Sequence, residues 1–289
     1  MNQPKRLILI LGDQLDKQNA ALKDYDSQRD EVIMIESVPE AQVVWSHKAK
    51  IALFLAAMRH FAQELKAEGY SVHYIQDSSL SIVDALKDTL EQKNISHLVC
   101  IEPGEWRLKL ALEKLAQDAN LHLDMREDDH FYCSHREFRE WAANKKELRL
   151  EFFYRLMRKT HDILLDKDGN PEGGQWNFDQ DNRKPYPKSG PGIIETPILF
   201  EPDAITRDVI AFVKKQYPKH PGSLDHFRWP VTREQALEAL QYFVDYRLRN
   251  FGIYQDAMWT DTPYGWHSIL SSSLNLKLLN PREVIAAVV

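Results

Sequence analysis

The amino-acid sequence predicts a doubly wound α/β domain with a parallel sheet over residues 1–130, followed by a connector and an all-α part. The first observation is a series of short apolar runs of strand length, and the second is a set of amphipathic segments that alternate with them. The third is a change in the sequence pattern after residue 130, where the alternation of strand-like and helix-like segments stops. Strand–helix alternation favours right-handed crossovers between parallel strands. We therefore expect a layered domain followed by a helical half.

Five apolar runs predict the strands, and helices are expected between them. The first run, RLILIL at 6–11, ends at Gly12 and suits a strand that is buried on both faces. The other runs lie at 31–35, 70–75, 97–101 and 121–125. Over 46–68, apolar residues recur at three- and four-residue spacing and Gly69 follows, which is typical of an amphipathic helix and its end. The segments with the same character are 80–93 and 105–119.

The second half of the sequence predicts helices joined by a long linker. Residues 134–160 look helical and hold eight lysines and arginines against four glutamates, which indicates either a solvated helix face or a surface near phosphates. Residues 168–202 are punctuated by glycines and prolines and predict an ordered loop or interdomain linker. Further helices are expected at 203–217, 232–250 and 266–279. The predicted organisation is an α/β domain at 1–130, a helical connector and linker at 131–202, and a helical part at 203–289.

Length and composition exclude several protein classes. The chain has 289 residues, and at about 150 residues per domain we expect roughly two domains. With only Cys100 and Cys133, the chain cannot form a disulfide scaffold or a four-cysteine zinc or iron–sulfur site. Its apolar runs are far shorter than the ~18 residues of a membrane span. The apolar run after the N-terminus is too short for the hydrophobic region of a signal peptide. We therefore predict a cytoplasmic protein with no membrane partner. A net charge of −6 argues against a general polyanion binder.

The C-terminal segment predicts a helix that begins near Asn280. Asn280 is a cap, Pro281 suits the first helical position, and Glu283 completes a capping box. The residues that follow, VIAAVV at 284–289, contain no glycine, basic or polar residue that would end the helix. An apolar helix of this kind needs a surface that covers it. We expect the chain to be the front part of a longer protein or a truncated gene product.

The first candidate site is the segment LILGDQL at 9–15. In a doubly wound sheet, ligands bind beyond the carboxyl ends of the strands, near the switch point of the strand order. Gly12 would let the backbone approach a ligand, Asp13 and Gln14 offer hydrogen-bonding groups, and Glu36 ends the next strand. An ordinary β-turn is the alternative. Neither a GxGxxG after the first strand nor a P-loop is present, which argues against the common dinucleotide and triphosphate modes.

Two other segments carry candidate ligand residues. A predicted helix begins with Trp45, His47 and Lys48, which could line the same crevice. The alternative is that His47 has no role in ligand binding. The segments 251–259 and 265–275 are rich in groups that can bind phosphate oxygens, and a serine-rich helix cap is the alternative there. These groups include His267, Ser268, Ser271 and Asn275.

We expect no metal site and no catalytic triad. His130, Cys133 and His135 lack a fourth zinc ligand, and adjacent acids such as Asp128 and Asp129 are usually solvated. The sequence has no nucleophile elbow and no recognisable Ser–His–Asp arrangement.

Taken in order, several motifs resemble the photolyase/cryptochrome superfamily. They are LILGDQL, SHKAKIALFLAAMRHFA, EPGEW, LRLEFFYRLMRK, PEGGQWNFDQDNRK, TREQA, FGIYQDAM and HSILSSSLN, and they run from about residue 7 to about residue 285. More narrowly, the set is similar to the prokaryotic (6-4) photolyases that carry an iron–sulfur cluster, also called deoxyribodipyrimidine photolyase-related proteins. The resemblance implies an N-terminal α/β antenna domain, a long linker and a C-terminal helical domain that holds FAD.

The resemblance also implies a reaction and two pigments. The family repairs (6-4) pyrimidine photoproducts in DNA, a lyase reaction driven by blue light and electron transfer from reduced FAD. Because the excited cofactor carries this chemistry, no catalytic acid or base is expected from the chain. For the antenna pigment 6,7-dimethyl-8-ribityllumazine, the implied residues are Gly12, Asp13, Gln14, Glu36 and His47. For the first part of the FAD site, they are Gln255, Asp256, His267, Ser268, Leu270 and Ser271.

The chain departs from the family pattern in two ways. Ser272 follows Ser271 where a proline or similar residue is usual. Lys277 stands where glycine is usual, and this lysine either pairs with a phosphate or crowds the cofactor. In the family, the cluster cysteines and the rest of the FAD pocket lie beyond the position of residue 289. We therefore expect a partial FAD site, no iron–sulfur cluster, and no repair by this chain alone.

Two alternative functions remain open at this point. One is a cryptochrome-like, chromophore-binding and light-sensing module without repair activity, and the other is an α/β nucleotide binder that uses no light. For damaged DNA we expect weak, steeply salt-dependent binding through the 134–160 helices or through Arg183 and Lys184.

Overall fold

The computed structural model describes residues 6–289, which form two compact units. The first unit combines the chain up to Asp129 with Leu199–Ala236 and Ser272–Leu279. The second unit consists of His130–Ile198, Leu237–Ser271 and Asn280–Val289. Each unit is therefore assembled from separate stretches of the chain.

A parallel sheet is the framework of the first unit. Its strands are β1 (Arg6–Leu9), β2 (Asp30–Ser37), β3 (Val72–Ser78), β4 (His97–Ile101) and β5 (His122–Arg126). They lie in the order β3-β2-β1-β4-β5, and all four neighbouring pairs are parallel. The strand order therefore reverses between β1 and β4, which confirms the predicted doubly wound sheet and defines its switch point.

Four helices connect the strands. They are α1 (Glu40–Val43), α2 (Lys48–Ala67), α3 (Ile82–Lys93) and α4 (Trp106–Asp118). On one face of the sheet, Leu7 and Leu9 of β1 belong to the same buried cluster as Leu86 of α3 and Leu112 of α4. Burial of all four β1 residues agrees with the uninterrupted apolar run that predicted this strand.

The remaining helices belong to the rest of the chain. They are α5 (His135–Ala142), α6 (Leu150–Thr160), α7 (Ala204–Gln216), α8 (Arg233–Tyr246), α9 (Leu248–Tyr254), α10 (Ser271–Asn275) and α11 (Pro281–Val288), and a short 3-10 turn covers Glu172–Gly174. In the first unit, α7 packs along α2. The backbone N–H of Leu15 donates to the carbonyl of Leu276 at 3.0 Å, so the segment after α10 lies beside the loop that follows β1. No helix within residues 6–289 is long and apolar enough to cross a membrane.

Aromatic contacts hold the second unit together. The ring of Phe153 on α6 lies 5.3 Å from that of Phe138 and 4.8 Å from that of Trp141, both on α5. Elsewhere in this unit, Tyr186 stacks on Tyr254 with ring centroids 5.0 Å apart. The C-terminal helix α11 begins as predicted, with a capping box between Asn280 and Glu283.

Three helix predictions in the second half were too long. The segment 134–160 is divided into α5 and α6, and Asn144 in the intervening turn has φ of 64°. The segment 232–250 is interrupted at Arg247, between α8 and α9. The segment 266–279 contains only α10, because Ile269 before it and Lys277 after it have φ of 60° and 64°. A left-handed residue cannot continue a right-handed helix, so each such residue ends or delays one.

Candidate functional site

A cavity of about 340 Å³ lies at the carboxyl end of the sheet in the first unit. Residues that follow β1, β2 and β4 line it, together with residues of the four connecting helices. Because β1 lies between β2 and β4, the cavity includes the switch point of the strand order. Its volume is within the range of about 300–1,000 Å³ that is usual for small-molecule sites. Most of the lining is apolar and includes Leu9, Ile35, Val44, Phe54 and Leu108.

Gly12 lies in the cavity wall directly after β1, and helix α2 packs closely against it. A Cβ atom at this position would lie 3.0 Å from Sδ of Met58 and 3.2 Å from Cδ1 of Phe54. The missing side chain therefore allows α2 to approach the end of β1. The structure shows a close approach of helix α2 at Gly12, and the close approach of a ligand that the sequence predicted there stays a prediction.

Asp13 also lines the cavity, and its carboxyl group is subject to opposing influences. Burial raises the pKa of Asp13, and the positive charge of Lys277 acts in the opposite direction. The carboxylates of Asp128 and Glu105 contribute to the rise in the pKa of Asp13. Lys277 is buried, and its Nζ lies 2.5 Å from Oδ2 of Asp128. Lys277 thus pairs with a carboxylate of the first unit, and its φ of 64° is a conformation that glycine adopts without steric cost.

Gln14 is buried beside the cavity but does not line it. Its Oε1 accepts a hydrogen bond from the backbone N–H of Leu11 at 3.3 Å, which closes the turn after β1. Within the described residues, Nε2 of Gln14 has no hydrogen-bond partner. The side chain therefore shapes the turn that carries Asp13.

Glu36 contributes to the cavity wall at the end of β2, and its carboxylate accepts three hydrogen bonds from neighbouring side chains. Nε and Nη2 of Arg59 donate to its two oxygens at 2.7 and 2.8 Å, and the hydroxyl of Tyr74 donates to Oε1 at 2.6 Å. This pairing raises the pKa of Arg59, and burial raises the pKa of Tyr74. Glu36 therefore fixes α2 and β3 to the end of β2 and presents a neutralised surface to the cavity.

The rim of the cavity combines an ion-pair bridge with exposed apolar side chains. Arg107 at the start of α4 donates to Glu40 on α1 at 2.5 Å and to the adjacent Glu105 at 2.7 Å. Glu40 follows β2 and Arg107 follows β4, so this bridge joins the segments on either side of β1. Val43 and Val44 on the rim are 55% and 68% exposed, respectively.

His47 does not line the cavity. It is the N-cap of α2, and its Nδ1 accepts a hydrogen bond from the backbone N–H of Ala49 at 3.0 Å. The opposite edge of the ring faces Gly222, where a Cβ atom would lie 1.7 Å from Nε2. The structure thus brings Gly12, Asp13 and Glu36 together in one cavity wall and assigns Gln14 and His47 to turn and cap contacts.

The six residues predicted for FAD lie in the second unit. Gln255 follows α9, and the carboxylate of Asp256 lies 3.8 Å from Nε of Arg183. His267 and Ser268 precede α10, of which Ser271 is the first residue. Leu270 is 3% exposed and therefore lies in the interior. The helix predicted to begin at 266 begins at Ser271, and His267 lies in the turn before it.

Arg247 holds that turn in place. It is 1% exposed, and its guanidinium donates to the carbonyls of His267 at 3.0 Å, Gly265 at 2.6 Å, and Glu195. Burial lowers the pKa of Arg247, and these backbone acceptors satisfy its donors. The position of His267 and Ser268 therefore depends on a buried cation in the break between α8 and α9.

Sequence reasoning did not assign several residues of these sites. Glu105 belongs to the motif EPGEW and Arg107 directly follows it; this segment comes after β4 and could have been identified by the same strand-end rule that selected Asp13. Arg59 and Tyr74 reach Glu36 from α2 and β3, and Arg247 acts through backbone carbonyls. No local pattern in the sequence indicates such long-range partners. Within residues 6–289, no group of three or more His, Cys, Asp or Glu is placed to hold a metal ion.

Comparison of the sequence with known proteins gives two matches of high coverage. The family model described as "Deoxyribodipyrimidine photo-lyase-related protein" matches residues 8–229. The chain is 41% identical over 287 residues to a (6-4) photolyase of Agrobacterium fabrum, covering 98% of this chain and 56% of that protein. The chain thus spans little more than half the length of this relative.

Two solved structures have a similar fold. A bacterial class III photolyase from Agrobacterium tumefaciens aligns with a TM-score of 0.56 at 12% identity, over 99% of this chain and 53% of that one. A Synechocystis cryptochrome aligns with a TM-score of 0.58 at 13% identity, over 98% of this chain and 55% of that one. These similarities support the α/β sheet and following helices as the fold of photolyases and cryptochromes.

Proposed function

Because the chain belongs to the deoxyribodipyrimidine photo-lyase-related protein family, we propose that it supplies the antenna part and the first portion of the flavin site of a light-driven DNA repair protein. In a full-length protein, the proposed reaction is repair of (6-4) pyrimidine photoproducts by electron transfer from reduced FAD. The identity of 41% to a (6-4) photolyase supports this lesion class. We also keep the domain organisation as proposed from the sequence: an antenna domain at 1–130, a linker region at 131–202, and a flavin-binding part at 203–289.

The observation that carries the proposal is the cavity at the switch point of the sheet. We propose 6,7-dimethyl-8-ribityllumazine as its occupant. A volume of about 340 Å³ suits a two-ring compound with a short polyol chain, and apolar side chains such as Phe54 and Leu108 suit the faces of a flat ring. Asp13 offers an acceptor for N–H or O–H groups, whereas Glu36 is committed to Arg59 and Tyr74. When bound, the pigment would supply absorption of blue light.

The proposed flavin residues are Gln255, Asp256, His267, Ser268, Leu270 and Ser271. In support, Arg247 fixes the turn before α10, and on either side of the buried Leu270, Ser268 is partly exposed and Ser271 is exposed. Within the described residues, the hydroxyl of Tyr186 is buried without a hydrogen-bond partner near Gly265, where a Cβ atom would lie 3.1 Å from it. These groups fit a portion of a flavin site, and FAD would supply the electron for repair.

We propose weak binding of damaged DNA by helices α5 and α6 of the second unit. Three cations surround the ring of Trp176: Arg155 at 5.7 Å, Arg158 at 5.1 Å and Lys159 at 5.3 Å. Ion pairs with glutamates neutralise part of the basic surface, as between Arg155 and Glu151 at 2.7 Å. We expect the binding to be weak, because these ion pairs compete with phosphates, and strongly salt-dependent, because it would depend on charge. Arg183 and Lys184 are further candidates for phosphate contacts.

The experiment that tests the antenna proposal is a titration of the purified chain with the lumazine, followed by absorption and fluorescence. We expect one pigment per chain. Val44→Glu adds a charge to the exposed rim of the cavity and should weaken binding by about tenfold or more, because the bound ring would remove water from the added carboxylate. Leu80→Glu is the matched control, since Leu80 is 41% exposed and does not line the cavity.

Failure to bind, or equal weakening by both substitutions, would contradict the proposed cavity. Titration with FAD under the same conditions tests the flavin residues, and substoichiometric binding is expected for a partial site. A full-length protein that held both pigments but left (6-4) photoproducts intact under blue light would contradict the repair proposal. That result would favour the light-sensing alternative.

A further inference from the structure

Two histidines lie side by side at the amino end of the sheet, whereas the antenna cavity lies at its carboxyl end. His97 is the first residue of β4 and His122 is the first residue of β5, and the two are partners in the parallel register. Side chains of such partners leave the sheet on the same face. The two ring centroids are 4.4 Å apart, and the ring planes are inclined by 69°. Strand pairing therefore holds two imidazoles next to each other.

The two rings differ in exposure, so that one is protected and the other is accessible. His97 is partly buried, and within the described residues its buried Nε2 atom has no hydrogen-bond partner. Buried polar atoms in folded proteins are nearly always paired, so this nitrogen is available to a ligand. His122 is exposed on β5, which is the terminal strand of the sheet. An ion in solution can therefore reach the pair from the side of His122.

The spacing of the rings suits two ligands of one metal ion. A metal–nitrogen bond of about 2.0–2.1 Å places the ion about 3.2 Å from the centroid of an imidazole ring. Two imidazoles that bind one ion at an angle of about 90–110° therefore have centroids about 4.5–5.2 Å apart. The observed 4.4 Å is close to the lower end of this range. A small rotation of the exposed His122 ring, whose terminal torsion is soft, brings one nitrogen of each ring to a shared ion.

The charged groups beside the histidine pair are matched among themselves. Arg6 lies in the same register row, and its guanidinium binds Asp30 and Asp24 at 2.8 Å each. Arg126 near the end of β5 pairs with Asp24 at 2.6 Å and with Asp124 at 2.8 Å. Both guanidiniums are therefore paired, and the three carboxylates outnumber them. The local charge thus does not oppose the approach of a cation.

We propose that His97 and His122 bind a divalent transition-metal ion of the class that prefers imidazole, such as Zn²⁺. Imidazole nitrogens suit zinc, copper and nickel, whereas Mg²⁺ and Ca²⁺ prefer oxygen ligands. The site has two protein ligands, so it is smaller than the groups of three that residues 6–289 lack, and water completes the coordination shell. The ion joins the terminal strand β5 to β4, so its binding stabilises the sheet. Neither histidine lines the antenna cavity, so this inference does not depend on the proposed function.

Calorimetric titration of the untagged chain with Zn²⁺ tests the site at about pH 7.5, where imidazole is largely neutral. We expect a site for one ion per chain, and either His97→Asn or His122→Asn should weaken it by about tenfold or more, because each removes one of its two protein ligands. His73→Asn is the matched control, since His73 is also a partly buried histidine of this sheet but lies on β3. Titration with Mg²⁺ should show no binding at this site.

NMR of the chain labelled with ¹⁵N in its histidine rings identifies the nitrogens that bind zinc. The signals of His97 and His122, assigned with the two variants, should shift together as Zn²⁺ is added. Shifts confined to other histidines, or no binding at all, would overturn the proposal. Undiminished zinc affinity in His122→Asn would overturn it as well.

Thermal melts with and without Zn²⁺ separate metal binding from an effect of the substitutions on folding. His122 is exposed, so His122→Asn should melt like the wild type when zinc is absent. Added Zn²⁺ should raise the melting temperature of the wild type and of His73→Asn, and should raise that of His122→Asn much less. An equal rise in all three proteins would contradict a site at the ends of β4 and β5.

Discussion

Substitution of Arg59 by methionine should reveal how strongly Glu36 depends on its partners. Arg59 is 13% exposed and Glu36 is 2% exposed at the side-chain level, so solvent cannot replace the two guanidinium hydrogen bonds. In Arg59→Met, the carboxylate keeps only the bond from Tyr74. Removing one partner of a buried ion pair costs about 3–5 kcal/mol of unfolding free energy, because a buried charge is left uncompensated. We expect a loss of this size at neutral pH.

Urea denaturation followed by circular dichroism measures this loss. The double variant Arg59→Met/Glu36→Gln should recover a large part of it, since the neutral amide no longer requires a cation.

Arg107→Met is the matched control for the same exchange at an exposed site. Arg107 also binds two carboxylate groups, but its side chain is 44% exposed, so its loss should cost about 1 kcal/mol or less. A cost of Arg59→Met no larger than that of Arg107→Met would refute the reasoning. No recovery in the double variant would also refute it.

Two further predictions concern the cap of α2 and the basic helices. Gly222→Ala should destabilise the fold by about 2–3 kcal/mol, because its Cβ would displace the His47 ring from its cap and φ is 87°. Gly69→Ala is the control, because φ is also positive there, at 90°, but no atom lies within 4 Å of the added Cβ, so only the backbone cost should be seen. Equal losses of stability for the two variants in thermal melts would contradict the contribution of the cap. Fluorescence anisotropy with duplex DNA should show weak binding, and the affinity should fall by about tenfold or more between roughly 50 and 200 mM salt. Lys159→Gln should lower the affinity further. Lys87→Gln on α3 should have no effect, and nanomolar binding at physiological salt would contradict the proposed surface.

The layered fold was predictable because its strands and helices differ clearly in period. The apolar run before Gly12 and the three- and four-residue spacing of α2 are strong local patterns, and both elements form where they were expected. The helical half was less predictable, because its breaks occur at single residues. Asn144 is of a residue type that commonly ends helices in the left-handed conformation, but lysine is a good helix former, so Lys277 gave no warning of the turn.

The candidate site was predictable only where the strand-end rule applies. Gly12, Asp13 and Glu36 follow buried strands, and they share one cavity wall. His47 was selected as a helix opening, but its ring caps its own helix instead of reaching the cavity. The charged partners come from distant positions, as Arg59 does for Glu36. Such pairings arise from tertiary packing, and a single sequence holds no local record of them.

The discontinuous first unit has a consequence for the order of synthesis on the ribosome. The sheet and Asp13 emerge early, but the backbone bond between Leu15 and Leu276 can form only after the ribosome has passed residue 276. A nascent chain that ends after β5 therefore lacks this bond to the loop that follows β1. Transplanting residues 1–130 alone into a chimeric protein would likewise leave out two stretches of the first unit, so a functional graft should also carry Leu199–Ala236 and Ser272–Leu279.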